Sequence, residues 1–199
     1  MEFVGINKFS PDAFVARVDF QTEIGTGEKK ASFNHLNFIS ANTSQGDATV
    51  AVPVISTEED PDTKYVVLVG QFRPVIGETT YELPRGFTNP DDFVGSKPIA
   101  NALRELDEET GIVSESQGRI KVTHVGESFE NTGTHNVVVN IERVDVRVSA
   151  VEMEKISHRV TTEDTGHQLK TLLVPIDRAI NIASDNHSKA ALAATLYGN

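Results

Sequence analysis

Three carboxylates stand at i, i+3 and i+4 in Arg104-Glu105-Leu106-Asp107-Glu108-Glu109-Thr110-Gly111. On a helix these positions share one face, because 3.6 residues complete a turn. Glu105, Glu108 and Glu109 would repel one another unless something neutralised them. A hard divalent cation with oxygen ligands does so, and Mg²⁺ or Mn²⁺ suits that donor set. The competing interpretation is a solvated acidic helix face, which is common. Gly111 follows where a helix end favours glycine. An apolar strand and Pro84-Arg85-Gly86, read as a sharp turn, lie upstream.

Two further residue types bear on that chemistry. Arg73 follows an apolar strand, and a guanidinium suits bidentate recognition of phosphate. Phe129 offers a ring on which a nucleobase could stack, against the plainer alternative of a core aromatic at a strand end.

These residues need a scaffold, and 199 residues suffice for one domain with a full core. Hydrophobic content of 38% and charged content of 24% are those of a folded chain. There are no cysteines, which excludes disulfides, Cys-ligated zinc and thiol catalysis and suits the cytoplasm. The net charge of −11, without any basic run, argues against duplex nucleic acid or an anionic membrane as partner. No stretch approaches the ~20 apolar residues of a membrane helix. The N-terminal MEFVGINKFS lacks the features of a signal peptide.

The patterning predicts strands over 14–20, 31–39, 48–55, 65–72, 79–83, 120–126, 137–148 and 169–174. Pro53 suggests that its strand lies at an edge or carries a bulge. The acidic helix is expected over 98–110, with Ile99, Leu103 and Leu106 on its apolar face. Helices are expected over 177–183 and 187–197. The polar segment 149–168 reads as a long loop of the kind that forms lids. Strands and helices mixed in this way indicate an α/β or α+β sandwich with a mixed sheet.

With Glu82-Leu83-Pro84-Arg85-Gly86 ahead of the acidic helix, the chain resembles a Nudix hydrolase. The second half of that family's box, Arg-Glu-apolar-x-Glu-Glu-x-Gly-apolar, is complete in Arg104, Glu105, Leu106, Glu108, Glu109, Gly111 and Ile112. The first half departs. Ser96 stands where the family has Glu, and Gly86 lies four residues too early, as an insertion within 87–94 would explain. Asp92 is a candidate partial substitute for the missing Glu. Gln71-Phe72-Arg73, Glu82-Leu83-Pro84, the Gly126–Gly133 loop and Ala190–Tyr197 are similar to the subgroup that hydrolyses ADP-ribose and other ADP-sugars. The loop after the box lacks the Pro usual in enzymes for ADP-ribose, which leaves the second moiety open.

The resemblance implies a Nudix-type α/β/α sandwich over 48–199, preceded by a strand-rich element over 1–47 that could serve a homodimer with exchanged elements. It implies Glu105, Glu108, Glu109 and the backbone carbonyl of Arg85 as ligands of Mg²⁺ or Mn²⁺, and Arg73 and Arg85 near the phosphates of a nucleoside diphosphate. It implies a loop carboxylate as general base, for which Glu163 fits, with Asp164 beside it and Glu152 and Glu154 as earlier alternatives. His167 is a further candidate for binding substrate. Arg104 would have a structural role, with Glu82 as its partner. The activity implied is hydrolysis of a nucleoside diphosphate derivative to AMP and a sugar phosphate. Two alternatives remain beside it, a pyrophosphatase for nucleoside triphosphates or dinucleotide polyphosphates and a non-catalytic nucleotide-sugar sensor.

Overall fold

A computed structural model describes residues 2–8, 15–24, 31–40, 48–73, 77–88, 97–116, 119–129, 138–162 and 168–198, the first three stretches as backbone alone. Strands β1 (Glu2–Lys8), β2 (Val15–Ile24) and β3 (Ala31–Ser40) form an antiparallel three-stranded sheet of their own. The expectation of strands near 14–20 and 31–39 holds, and β1 is an addition to it.

The second sheet has eight strands. They are β4 (Ala48–Thr57), β5 (Tyr65–Arg73), β6 (Glu78–Glu82), β7 (Arg85–Phe87), β8 (Ile120–Phe129), β9 (Val138–Val148), β10 (Val160–Thr162) and β11 (Gln168–Pro175). The order is β10-β11-β5-β4-β9-β8, with β6 on β5 and β7 on β4. Only the β4–β9 pair is parallel among these described pairings, so the sheet is mixed.

Strand β4 is central rather than at an edge. Its near-continuous burial explains its run of Val, Ala and Ile, since a strand covered on both faces has no solvent side to make polar. Pro53 is tolerated there because β4 changes neighbour around it. Residues 48–50 pair with β7, and Val54 and Ile55 pair with β5. Pro84 and Arg85 do not make a sharp turn. Arg85-Gly86-Phe87 is a short strand, and the Pro84 carbonyl accepts from the Ala51 amide at 2.9 Å.

Helices cover both faces. Helix α1 (Lys97–Thr110), the short α2 (Ile112–Glu115) and α3 (Ala150–Ser157) cover one of them. There Ala102, Leu106, Ile112 and Ile156 pack on Ala51, Ile55, Val67 and Val144. Helices α4 (Ile176–Ile182) and α5 (Asn186–Tyr197) cover the other, where Ala179, Ala191 and Leu192 meet Val50, Val52, Val66 and Leu68. The α/β/α sandwich is therefore as expected. No helix among the described residues is long and apolar enough to cross a membrane.

The segment expected as one long loop carries structure. Ser149 caps α3 through a capping box with Glu152, and β10 follows. Gly126 to Phe129 also belong to β8 rather than to a loop.

Leu106 is fully buried beneath α1. Leu106→Ala is expected to lower unfolding stability by about 2–5 kcal/mol in urea titration, through lost burial and a residual cavity.

Candidate functional site

Side chains on successive residues of a strand alternate between faces, and register partners share a face. On β4, Val50 faces α4 and α5, so its partner Arg85 does too. Thr49 and its partner Gly86 face α1. The same alternation puts Asn140 and Glu142 of β9 on the α1 face, since they pair with Thr49 and Ala51. One end of this otherwise apolar layer is thus polar and buried. Thr49, Asn101 and Glu142 are 0% exposed, Asn140 5% and Glu105 9%.

Helix α1 closes over this layer. The Asn101 amide donates to the Gly86 carbonyl at 3.0 Å, and Arg104 donates to the Phe87 carbonyl at 3.0 Å. These bonds tie the first half of the helix to β7. The Glu105 carboxylate then lies against Gly86 so closely that a Cβ there would fall 2.0 Å from its Oε1. Gly86 is required by this contact, not by its backbone angles. At the other end, Gly111 takes φ 65° and stops α1, as the sequence predicts. Arg159 donates to the Thr110 carbonyl and Thr161 to the Glu109 carbonyl, both at 2.5 Å, anchoring that end to β10 and the residue before it.

Arg104 reaches Glu105 at 2.7 Å and Glu108 at 2.9 Å, and so offsets part of the negative charge of the helix face. Among the described residues no three His, Asp or Glu side chains already converge as a ligand set. Glu105 is nearly enclosed, Glu108 projects into solvent and Glu109 is half-buried.

Arg104 does not pair with Glu82. That carboxylate is taken by others, with Arg73 donating through Nε at 3.2 Å and Nη2 at 2.7 Å, Arg85 at 2.9 Å and Thr80 at 2.6 Å. Arg85 continues to Asp185 at 2.8 Å, which also caps α5 by accepting from the His187 and Ser188 amides. Arg85 thus directs its side chain toward α5 while its backbone lies beside the Glu105 carboxylate. Burial raises the Glu82 pKa, but the Arg73 and Thr80 hydrogen bonds and the charge of Arg85 outweigh it and hold the carboxyl below its ordinary value.

Two buried oxygens in the polar layer, Thr49 Oγ1 and Glu142 Oε2, have no hydrogen-bond partner among the described residues. The other Glu142 oxygen lies 2.7 Å from His124 Nδ1. Hard oxygen donors beside an unfilled Cβ position, with unsatisfied buried oxygens on the same face, form a chemistry that fits a divalent cation. Sequence reasoning missed Glu142. Its signal was a lone acid at an inward-facing position of an apolar strand, Val138-Val139-Asn140-Ile141-Glu142.

Phe129 is 56% exposed at the end of β8 and is not a core residue. Phe87, also missed, is 62% exposed beside Gly86. Phe87 pairs with Ala48, Ala48 with Val139 and Val139 with Ser128, so both rings stand at the same end of the sheet. Arg73 closes β5 at that end too, since β5 runs antiparallel to β4. Glu163, Asp164 and His167 lie outside the described residues, as do Asp92 and Ser96. Glu152 is engaged with Arg119 at 2.6 Å and in the capping box of α3.

The Glu82 network carries a pH signature. A carboxyl with a depressed folded pKa contributes stability above its unfolded value, near 4.5, and loses it as pH falls through the folded one. Glu82→Gln is expected to be clearly less stable than wild type at pH 7, with the gap in thermal melting narrowing as the solution is acidified below about pH 4.

No protein-family model matches the chain. It is 36% identical over 99 residues to an ADP-sugar pyrophosphatase of Mus musculus, a match covering 50% of this chain and 43% of that relative, so it spans less than half of the relative's length. A crystal structure of an ADP compounds hydrolase superposes with a TM-score of 0.59 over 98% of this chain and 91% of the other, at 12% identity. The resemblance to the ADP-sugar pyrophosphatase-like Nudix hydrolases therefore stands, in sequence over half of the chain and in fold over nearly all of it.

Proposed function

We propose that the chain is a Mg²⁺-dependent pyrophosphohydrolase that cleaves a nucleoside diphosphate linked to a second moiety, an ADP-sugar such as ADP-ribose, to AMP and a sugar phosphate. The observation that carries the reading is the Glu105 carboxylate seated against Gly86 on a helix that also presents Glu108 and Glu109. The similarity to an ADP-sugar pyrophosphatase supports the substrate class.

Glu105, Glu108, Glu109 and the Arg85 carbonyl are the residues that would hold the ion. A bound divalent cation supplies neutralisation of phosphate charge and a lowered pKa for water. The remaining work belongs to the chain. Arg73, held by Glu82, orients toward the phosphates with little freedom left to lose on binding, and the Arg85 guanidinium, turned toward α5, fixes Glu82 in place. Phe129 and Phe87 offer exposed rings to a base. Glu163 accepts the proton of the attacking water, with Glu108 assisting. In sequence Glu163 lies two residues beyond Thr161, whose hydroxyl is bonded to the Glu109 carbonyl. The separate sheet of β1, β2 and β3 serves a homodimer in the cytoplasm.

The test is product analysis with ADP-ribose and MgCl₂. AMP and ribose 5-phosphate are expected, and Glu105→Gln or Glu109→Gln should lower kcat by about 100-fold or more. Full activity in Glu109→Gln would remove the metal reading, and release of inorganic pyrophosphate from nucleoside triphosphates in preference would reassign the substrate. Gly86→Ala should lose activity comparably while melting within a few degrees of wild type, because the new Cβ displaces only the end of the flexible Glu105 side chain. Light scattering on the eluting protein should give twice the chain mass of 21.7 kDa, falling to a monomer when residues 1–47 are deleted.

A further inference from the structure

A second concave site lies at the opposite end of the sheet from Gly86. It is an open cavity of about 530 Å³ whose lining includes Ser56, Lys64, Arg119, Lys121, Asp145 and Arg147. Ser56 and Thr49 are both on β4, and at roughly 3.3 Å per residue the seven steps from one to the other span about 23 Å. Thr49 partners Gly86, whereas Ser56 partners Arg147. Among the lining side chains, Arg147, Asp145 and Lys121 take the strand face turned toward α4 and α5, while Ile120 and Val146 take the α1 face. Asp145 partners Val54, which packs in the cluster under those helices, and Lys121 partners Asp145. The cavity is remote from Glu105 along the strands, at the other end of β4.

Its charge is opposite to that of the molecule. The chain has 18 Lys and Arg against 29 Asp and Glu, yet four cations line this cavity against the single carboxylate of Asp145. That carboxylate is already engaged, with Arg143 at 2.6 Å. Arg119 is held by Glu152 at 2.6 Å and Glu58 at 3.2 Å. Lys64, Lys121 and Arg147 have no ion pair among the described residues. No two of these cations are adjacent in sequence, and the fold alone assembles them. Like charges gathered in one concavity repel unless an anion joins them.

We infer that this cavity is a second ligand site, for a compact oligophosphate anion such as the phosphate chain of a small nucleotide. The volume falls within the range of small-molecule sites and exceeds what one phosphate fills. A guanidinium with two ammonium groups is the donor set suited to several phosphate oxygens at once. The net charge of −11 selects the size of the ligand. Screening confines each charge's influence to about 8 Å at physiological salt, so a compact anion meets only the cavity's cations. A nucleic acid or an anionic membrane would extend onto the acidic surface around it and be repelled.

Calorimetric titration of the whole protein with inorganic tripolyphosphate, in EDTA and low salt, tests this without any divalent ion. One saturable site per chain is expected, weakening as KCl is added. The combined variant Lys64→Ala, Lys121→Ala and Arg147→Ala should lower the affinity by about tenfold or more. The charge-preserving variant Lys64→Arg, Lys121→Arg and Arg147→Lys should keep binding within a few-fold and show that a loss in the alanine variant is electrostatic. Glu105→Gln should bind as wild type does, which separates this site from the proposed catalytic one. Absence of binding in wild type, or unchanged affinity in the alanine variant, overturns the inference. So does a single-stranded RNA or phosphatidylserine vesicle that binds more tightly than tripolyphosphate and loses binding in the same variant.

Discussion

The packing of one buried carboxylate against one bare backbone governs the functional end of this molecule. A carboxylate with so little access to water is costly unless charged or hydrogen-bonding groups surround it. Glu105 is tolerated because Arg104 meets it on one side and Gly86 yields the space that a side chain would occupy. The approach of α1 to β7 must be close for both to hold. The bonds from Asn101 and Arg104 to the Gly86 and Phe87 carbonyls supply that closeness. Register follows: Gly86 must face α1, so Arg85 must face away, and its guanidinium becomes a link to α5.

A second carboxylate organises the same sheet end. Glu82 accepts from Arg73, Arg85 and Thr80 and thereby joins the ends of β5, β6 and β7. Arg85 passes the connection to the cap of α5. The positive groups near the proposed phosphate site are thus fixed by structural carboxylates rather than left to solvent. Positioning cations in advance avoids much of the entropy that two long side chains would otherwise lose on binding.

Much of this was legible in the chain. The acidic helix, its glycine stop and its apolar stripe follow from local patterning, which suffices where one face is buried and the other is not. The continuous apolar run of β4 was readable as a strand. Its central place was obscured by Pro53, because a proline's compatibility depends on which neighbour it faces, and that neighbour is distant in sequence. The motif points to Arg104 as the partner of Glu82, whereas Arg73 is brought to it by strand pairing and Arg85 reaches it from three residues along the chain. Glu142 escaped notice because an inward direction on β9 is set by its register with β4. The strand and helix within 149–168 were hidden by polar composition, although Ser149 and Glu152 at capping-box spacing were a readable signal.

The parallel pairing of β4 with β9 constrains how the protein comes to be. Ala48 meets Val139 only after every element between them has been synthesised and threaded past. An apolar strand made early must therefore wait, exposed, for a partner made late. Closing so long a loop delays the rewarding contact and slows folding. Strand β5 joins β4 on its other side, so the edge that β9 will take is the one left open during that wait.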